Sequence, residues 1–177
     1  MYIPPQGVRS PSSDTTLITA IDLAKREVAQ VLAIAGSADT VYVSPLNLYV
    51  VSSRYNLRTA TGAMTTFDPS GSASDIHQIR LGTDAMSFVA SGSVDGAVGT
   101  DLEKSPFHLS EEAGKLRVVS QANTLFGSST KNRLTILEQA VTTAGTVLKS
   151  VSYIPSIWRP EPLGKPGEFL YLSLIHI

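Results

Sequence analysis

The 177-residue sequence has no cysteine, only three histidines and one tryptophan, and just 16% Asp, Glu, Lys and Arg. The missing cysteine excludes disulfides, zinc–thiolate sites and a thiol nucleophile, while leaving the cellular compartment open. An excess of charge of one sign is also missing, with 14 basic against 15 acidic residues and no run of either. That balance offers no electrostatic footprint for nucleic acid or an anionic membrane. No uncharged apolar run reaches the roughly 18 residues that a spanning helix needs.

The signatures of common chemistries are absent as well. No HExxH spacing, DxDxDG calcium loop, Gly-Lys phosphate loop or Gly-x-Ser-x-Gly elbow occurs. His108 has Glu111, Glu112, Asp101 and Glu103 near it in sequence, but His77 and His108 fall in different units and do not meet the ligand count of zinc. The sequence therefore assigns no catalytic residue, no metal ligand and no cofactor.

What it does contain is alternation that repeats. In Asp39–Ser53, DTVYVSPLNLYVVSS, two short apolar runs flank a Pro-Leu-Asn corner, the pattern of an antiparallel hairpin. A second hairpin opens at Pro106 with PFHLS and returns through LRVVSQ, Leu116–Gln121. Thr16–Leu23 and Ser74–Leu81 align at an offset of 58, matching Ile18 with Ile76, Ile21 with Ile79 and Leu23 with Leu81. A further 58 brings Leu134 and Leu137 into the first two slots. Each of these three runs is followed by a polar corner and another apolar run: Val28–Ala35, Ser87–Ser93 and Val147–Ile154. A helix over Ile21–Ile34 competes on propensity, but no capping residue opens one and the repeat favours strands.

With the hairpin strands labelled a and b and the repeating pairs c and d, the chain reads c-d, a-b-c-d, a-b-c-d, a. Four-stranded units that cannot bury both faces alone predict an all-β, partial β-propeller, with two complete antiparallel blades flanked by two partial ones. A sandwich or closed barrel also gives short regular strands, without requiring sequence recurrence. Residues 1–14 read as an irregular arm and 15–177 as the propeller portion, a fragment of a larger ring. Leu172–Ile177 look like the read-through of a sequencing adapter, so no function is placed on them.

From Thr15 to about Leu172 the sequence resembles bacterial secreted proteins with a C-terminal β-propeller domain distantly related to WD repeats. The carriers are TVYVSPLNLYVVSS, SDIHQIRL followed by FVASGSVDG, GKLRVVSQ, NRLTILE and the closing GEFLYL; Asp95–Lys104 departs from the pattern. The resemblance implies export, to the periplasm, cell surface or medium. That family has no established reaction, so no catalytic residues carry over.

Strand order places a-b and c-d turns on one face and b-c and d-a connections on the other. The first set is short, with Ala140–Thr146 the longest, and the second is mostly long, at Arg54–Ala73, Val94–Ser105, Ala122–Lys131 and Pro155–Gly167, with only Gly36–Ala38 short; long insertions on one face of a repeat fold mark a recognition surface. Arg54, Tyr55, Arg58, Trp158 and Arg159 lie in these segments and are the candidate binding residues, since flat rings beside guanidinium groups suit interfaces and sugars. The competing reading for Trp158 is a lid folded onto its own blade. Two functions follow: a non-catalytic scaffold for a protein or glycan, or a propeller-based hydrolase whose catalytic residues lie partly elsewhere.

Overall fold

The computed structural model describes residues 14–59, 65–98, 105–123 and 130–165. Strands β1 (Thr15–Asp22) and β2 (Glu27–Ala35) form a hairpin of their own. Strands β3 (Thr40–Val43), β4 (Asn47–Thr59), β5 (Thr65–Leu81) and β6 (Met86–Asp95) form a four-stranded antiparallel unit. Strands β7 (Leu109–Glu112), β8 (Lys115–Asn123), β9 (Thr130–Thr142) and β10 (Gly145–Ile154) form another. The order is c-d, a-b-c-d, a-b-c-d, as the repeat predicts, with no α-helix among the described residues. The closing run GEFLYL and nearly all of the N-terminal arm lie outside the described residues.

A shared irregularity confirms that the three c-d hairpins are copies. In the first, Ala20 pairs with Gln30 and Ile21 with Val28, leaving Ala29 as an extra residue. In the second, Gln78 pairs with Ala90 and Ile79 with Phe88, leaving Val89. In the third, Ile136 pairs with Ser152 and Leu137 with Ser150, leaving Val151. On the c strand the bulge thus falls between positions 20/21, 78/79 and 136/137, the same 58-residue spacing. Bulges sharpen strand twist, which blades need in order to pack face to face.

Alternation sends the two faces of β4 and β5 to different neighbours. Val50 and Ile79 pack with Ile34, Ile18 and Leu32 of the first hairpin. Tyr49, Val51 and Ile76 face the other way, against Leu116, Val118 and Leu137 of the next blade, with Ala90, Val94 and Leu148 closing the outer side. Val51, Ile76, Val118 and Leu137 are 0% exposed, so this interface is the main core. The outer face of the first hairpin is uncovered, with Leu17 65% exposed and Ile21, Val28 and Val31 at least half exposed.

Turn chemistry fixes the short connections. Asp22 Oδ1 accepts from the N–H groups of Ala24 (2.9 Å) and Lys25 (3.0 Å), holding the corner that carries Arg26 at φ 55°. The β7–β8 hairpin turns through Ala113 and Gly114, both at positive φ, as a two-residue primed turn requires.

Several strands outrun the sequence expectation. β4 runs on to Thr59 and β5 begins at Thr65, so most of Arg54–Ala73, expected as a loop, is hairpin arm. The apolar signal fades there, yet the ladder continues from Arg54↔Ala73 to Thr59↔Thr65, interrupted where Tyr55 on β4 faces the four residues 69–72 of β5 that are unpaired with β4. Ala140–Thr146, expected as the longest short-face turn, tightens to the two residues between Thr142 and Gly145.

The two blades touch edge to edge at one parallel pair, Ser91↔Val147. Gly92 makes this approach feasible: a Cβ there would lie 2.3 Å from the Leu148 carbonyl oxygen and 2.7 Å from its Cβ. Gly92→Ala is expected to destabilise the fold by about 1–3 kcal/mol in urea unfolding, because backbone must shift. The neighbouring exposed Ser93→Ala is expected to stay within about 0.5 kcal/mol.

Candidate binding face and interblade clefts

The parallel pairing of β6 with β10 sets the direction of both blades at once. Since both d strands run the same way, the ends of β4, β6, β8 and β10 emerge on one face. The a-b and c-d turns emerge on the other. Each cleft between blades therefore has a long-connection end and a short-turn end.

At the long-connection end the residues that directly follow β6, 96–98, are fastened down. Ser74 Oγ donates to the Gly96 carbonyl (2.9 Å) and accepts from the Val98 N–H (3.0 Å). Ala97 and Gln121 exchange backbone bonds at 2.9 Å, and Ser120 Oγ donates to the Asp95 carbonyl at 2.6 Å. The crossover from the second blade is thus stitched to β8 of the third.

The candidate residues occupy this end in different ways. Arg54 stands within β4, where its Nη2 donates to Asp75 Oδ1 at 2.9 Å and Nε lies 2.6 Å from Oδ2. Tyr55 and Arg58 fall in the same strand by backbone position. Trp158 and Arg159 lie in a tight turn closed by reciprocal Ser156–Arg159 backbone bonds of 2.8 and 3.1 Å. Trp158 is 87% exposed and Ile157 83%, so the ring is presented to solvent instead of lying as a lid on its blade.

An unanticipated set gathers in the cleft between β6 and β10. Arg133, near the start of β9, pairs with Asp95 at the end of β6, and its guanidinium carbon sits 5.0 Å from the centre of the Tyr153 ring. With Ser93, Val94, Thr135 and Ser150 these line an open groove of about 350 Å3. A signal existed in the repeat: Arg133 is 58 residues after Asp75, so one in-strand position carries a charge in both complete blades. Each charge meets its opposite, Asp75 with Arg54 and Arg133 with Asp95.

At the short-turn end a second recess of about 400 Å3 lies between the turns of β1–β2 and β5–β6, bordered by Asp22, Lys25 and Asp84. Gln30 spans its base, donating to the Met86 carbonyl (2.8 Å) and accepting from the Met86 N–H (2.6 Å), which imitates a strand pair between two d strands. Across the main core at this end, Glu111 accepts from Asn47 Nδ2 (2.7 Å) and Ser44 Oγ, and its N–H donates to Tyr42 Oη at 3.0 Å. Burial first, then the Glu111 charge, pushes the Tyr49 phenol above its ordinary range, so it stays a neutral partner of Gln78.

The two described histidines, His77 and His108, are interior. His108 is 3% exposed beside β7, and Asp101 and Glu103, its imagined companions, lie outside the described residues. Among the described residues no group of three or more His, Cys, Asp or Glu could hold a metal. His77 pairs across the ladder with Ser91, its Nδ1 2.7 Å from Ser91 Oγ, a contact that strand distance conceals in the sequence. Among the described residues no helix is long and apolar enough to cross a membrane.

Comparison with known families matches residues 3–168 to the family described as Beta propeller domain. The chain belongs to the β-propeller domain family. No curated protein and no solved structure matches it. For a β-propeller, the stitched connections and the clefts between blades are the parts that vary independently of the packed core, so the fold supports a generic scaffold or binding role.

Burial holds the His77 pKa below its ordinary value, against an upward pull from Asp75. Its unfolded counterpart takes up a proton first, so His77 adds stability above pH about 6.5 that is lost as pH falls toward the lower folded value. Melting temperature is expected to fall between pH 7 and pH 5.5, and His77→Gln is expected to flatten that slope. An unchanged slope in the variant, measured by calorimetry, would assign the pH dependence to other groups.

Proposed function

We propose that this chain is part of an extracytoplasmic, non-catalytic scaffold that binds a protein or glycan partner on the face where the b-c and d-a connections emerge. The observation that carries the reading is the Ile157–Trp158 turn, two large apolar side chains held out to solvent by a closed backbone turn. Such groups gain most by burial against a partner, and a rigid turn costs little entropy on binding. The near-neutral charge supports a partner that is not a polyanion. The setting outside the cytoplasm and the kinship with bacterial secreted, WD-like propellers rest on the sequence motifs.

Arg54 and Trp158 then have separate parts. Trp158 is the contact anchor, whereas Arg54, tied to Asp75, stiffens the base of the hairpin arm that carries Tyr55 and Arg58. Affinity capture from an envelope extract with the immobilised chain tests this. Trp158→Ala is expected to weaken partner binding by about 1–3 kcal/mol. Arg54→Ala is expected to weaken binding less and to lower stability. Retained binding in both variants, together with loss on substituting Glu112 and Lys115 at the β7–β8 turn, would move the site to the opposite face.

A further inference from the structure

The edges of β6 and β10 meet at Ser91 and Val147 and form no further pair toward the long-connection end. There the strands part, and the opening is the groove that Asp95, Arg133 and Tyr153 line. Below it the cleft is sealed by Val94 and Leu148 of the main core. The groove is therefore a recess with a floor, of a size suited to part of a small ligand and too small for a folded partner.

Its lining is selective. Asp95 and Arg133 cancel in charge, so a phosphate or other strong anion would meet a carboxylate. Hydroxyl groups at Ser93, Thr135 and Ser150 make the walls unsuited to a purely apolar ligand. Arg133 keeps donors beyond those it gives Asp95, and the largely exposed Asp95 carboxylate keeps acceptor capacity. Tyr153, 42% exposed, is fixed by the guanidinium against it and offers a flat apolar surface. A ligand that needs adjacent donors and acceptors, a flat face and no net charge is a sugar ring.

We infer that the groove between the two complete blades binds a unit of a neutral oligosaccharide, with Asp95 and Arg133 holding its hydroxyls and Tyr153 backing the ring. The inference rests on the binding-face reading above and names its ligand class and place.

The test is an array of neutral and acidic oligosaccharides probed with the whole chain, followed by calorimetric titration of the neutral oligosaccharides it retains. Binding of neutral members is expected, weakened roughly tenfold or more by Tyr153→Ala and by Arg133→Met. Ser93→Trp, a change at an exposed position that fills the recess, is expected to abolish it with the melting temperature preserved. Asp84→Asn at the opposite recess is expected to leave it unchanged. Retention of acidic members alone, or neutral binding insensitive to Ser93→Trp, overturns the inference. A blank array alongside protein capture that depends on Trp158 also overturns it, while leaving the scaffold reading intact.

Discussion

Burial of one sheet face against another is the constraint on which this molecule depends. No blade here closes a core by itself: Val51 and Ile76 on one side and Val118 and Leu137 on the other reach zero exposure only because the blades are pressed together. Removing apolar surface of this kind from water is worth roughly 25 cal/mol per Å2, a term that the single β6–β10 strand pair among the described residues cannot replace. The repeat in sequence is the record of this demand, since each unit must present one face forward and one back.

Close approach then dictates the details around the core. Gly92 is required where the outer strands touch, the bulges set the twist that lets the faces match, and Ser74 and Ser120 satisfy the crossover that passes over the cleft. At the other end Glu111 satisfies donors from the preceding blade. The apolar centre is thus capped by a polar network at each end. Such caps serve register as much as stability, because a one-residue slip would leave the buried serines and amides unsatisfied.

The blade order was legible because Ile76, Ile79 and their counterparts recur at a fixed spacing, and packing against a common neighbour enforces that recurrence. The strand ends were less legible. Beyond Ser52 the side chains turn polar, and the ladder continues on backbone bonds that leave no apolar trace. Strand order places Trp158 after β10, but its exposure depends on a turn closed by local bonds between Ser156 and Arg159, from both the backbone and the Ser156 hydroxyl. The groove at Arg133 was hidden for a different reason: Asp95, Arg133 and Tyr153 come from three strands, and only the pairing of two blades brings them together. Asp75 and Arg133 at one repeat position were the visible part of it.

The interblade interface is the common support of both complete blades, and native-state hydrogen exchange on Val118→Ala tests that most directly. The substitution lies in β8 and removes volume only from the shared core. Slowly exchanging amides of β4 and β5, in the neighbouring blade, are predicted to lose protection together with those of β8 and β9. Loss confined to β7–β10, with β4 and β5 protected as before, would mean that the blades stand independently and would contradict the account.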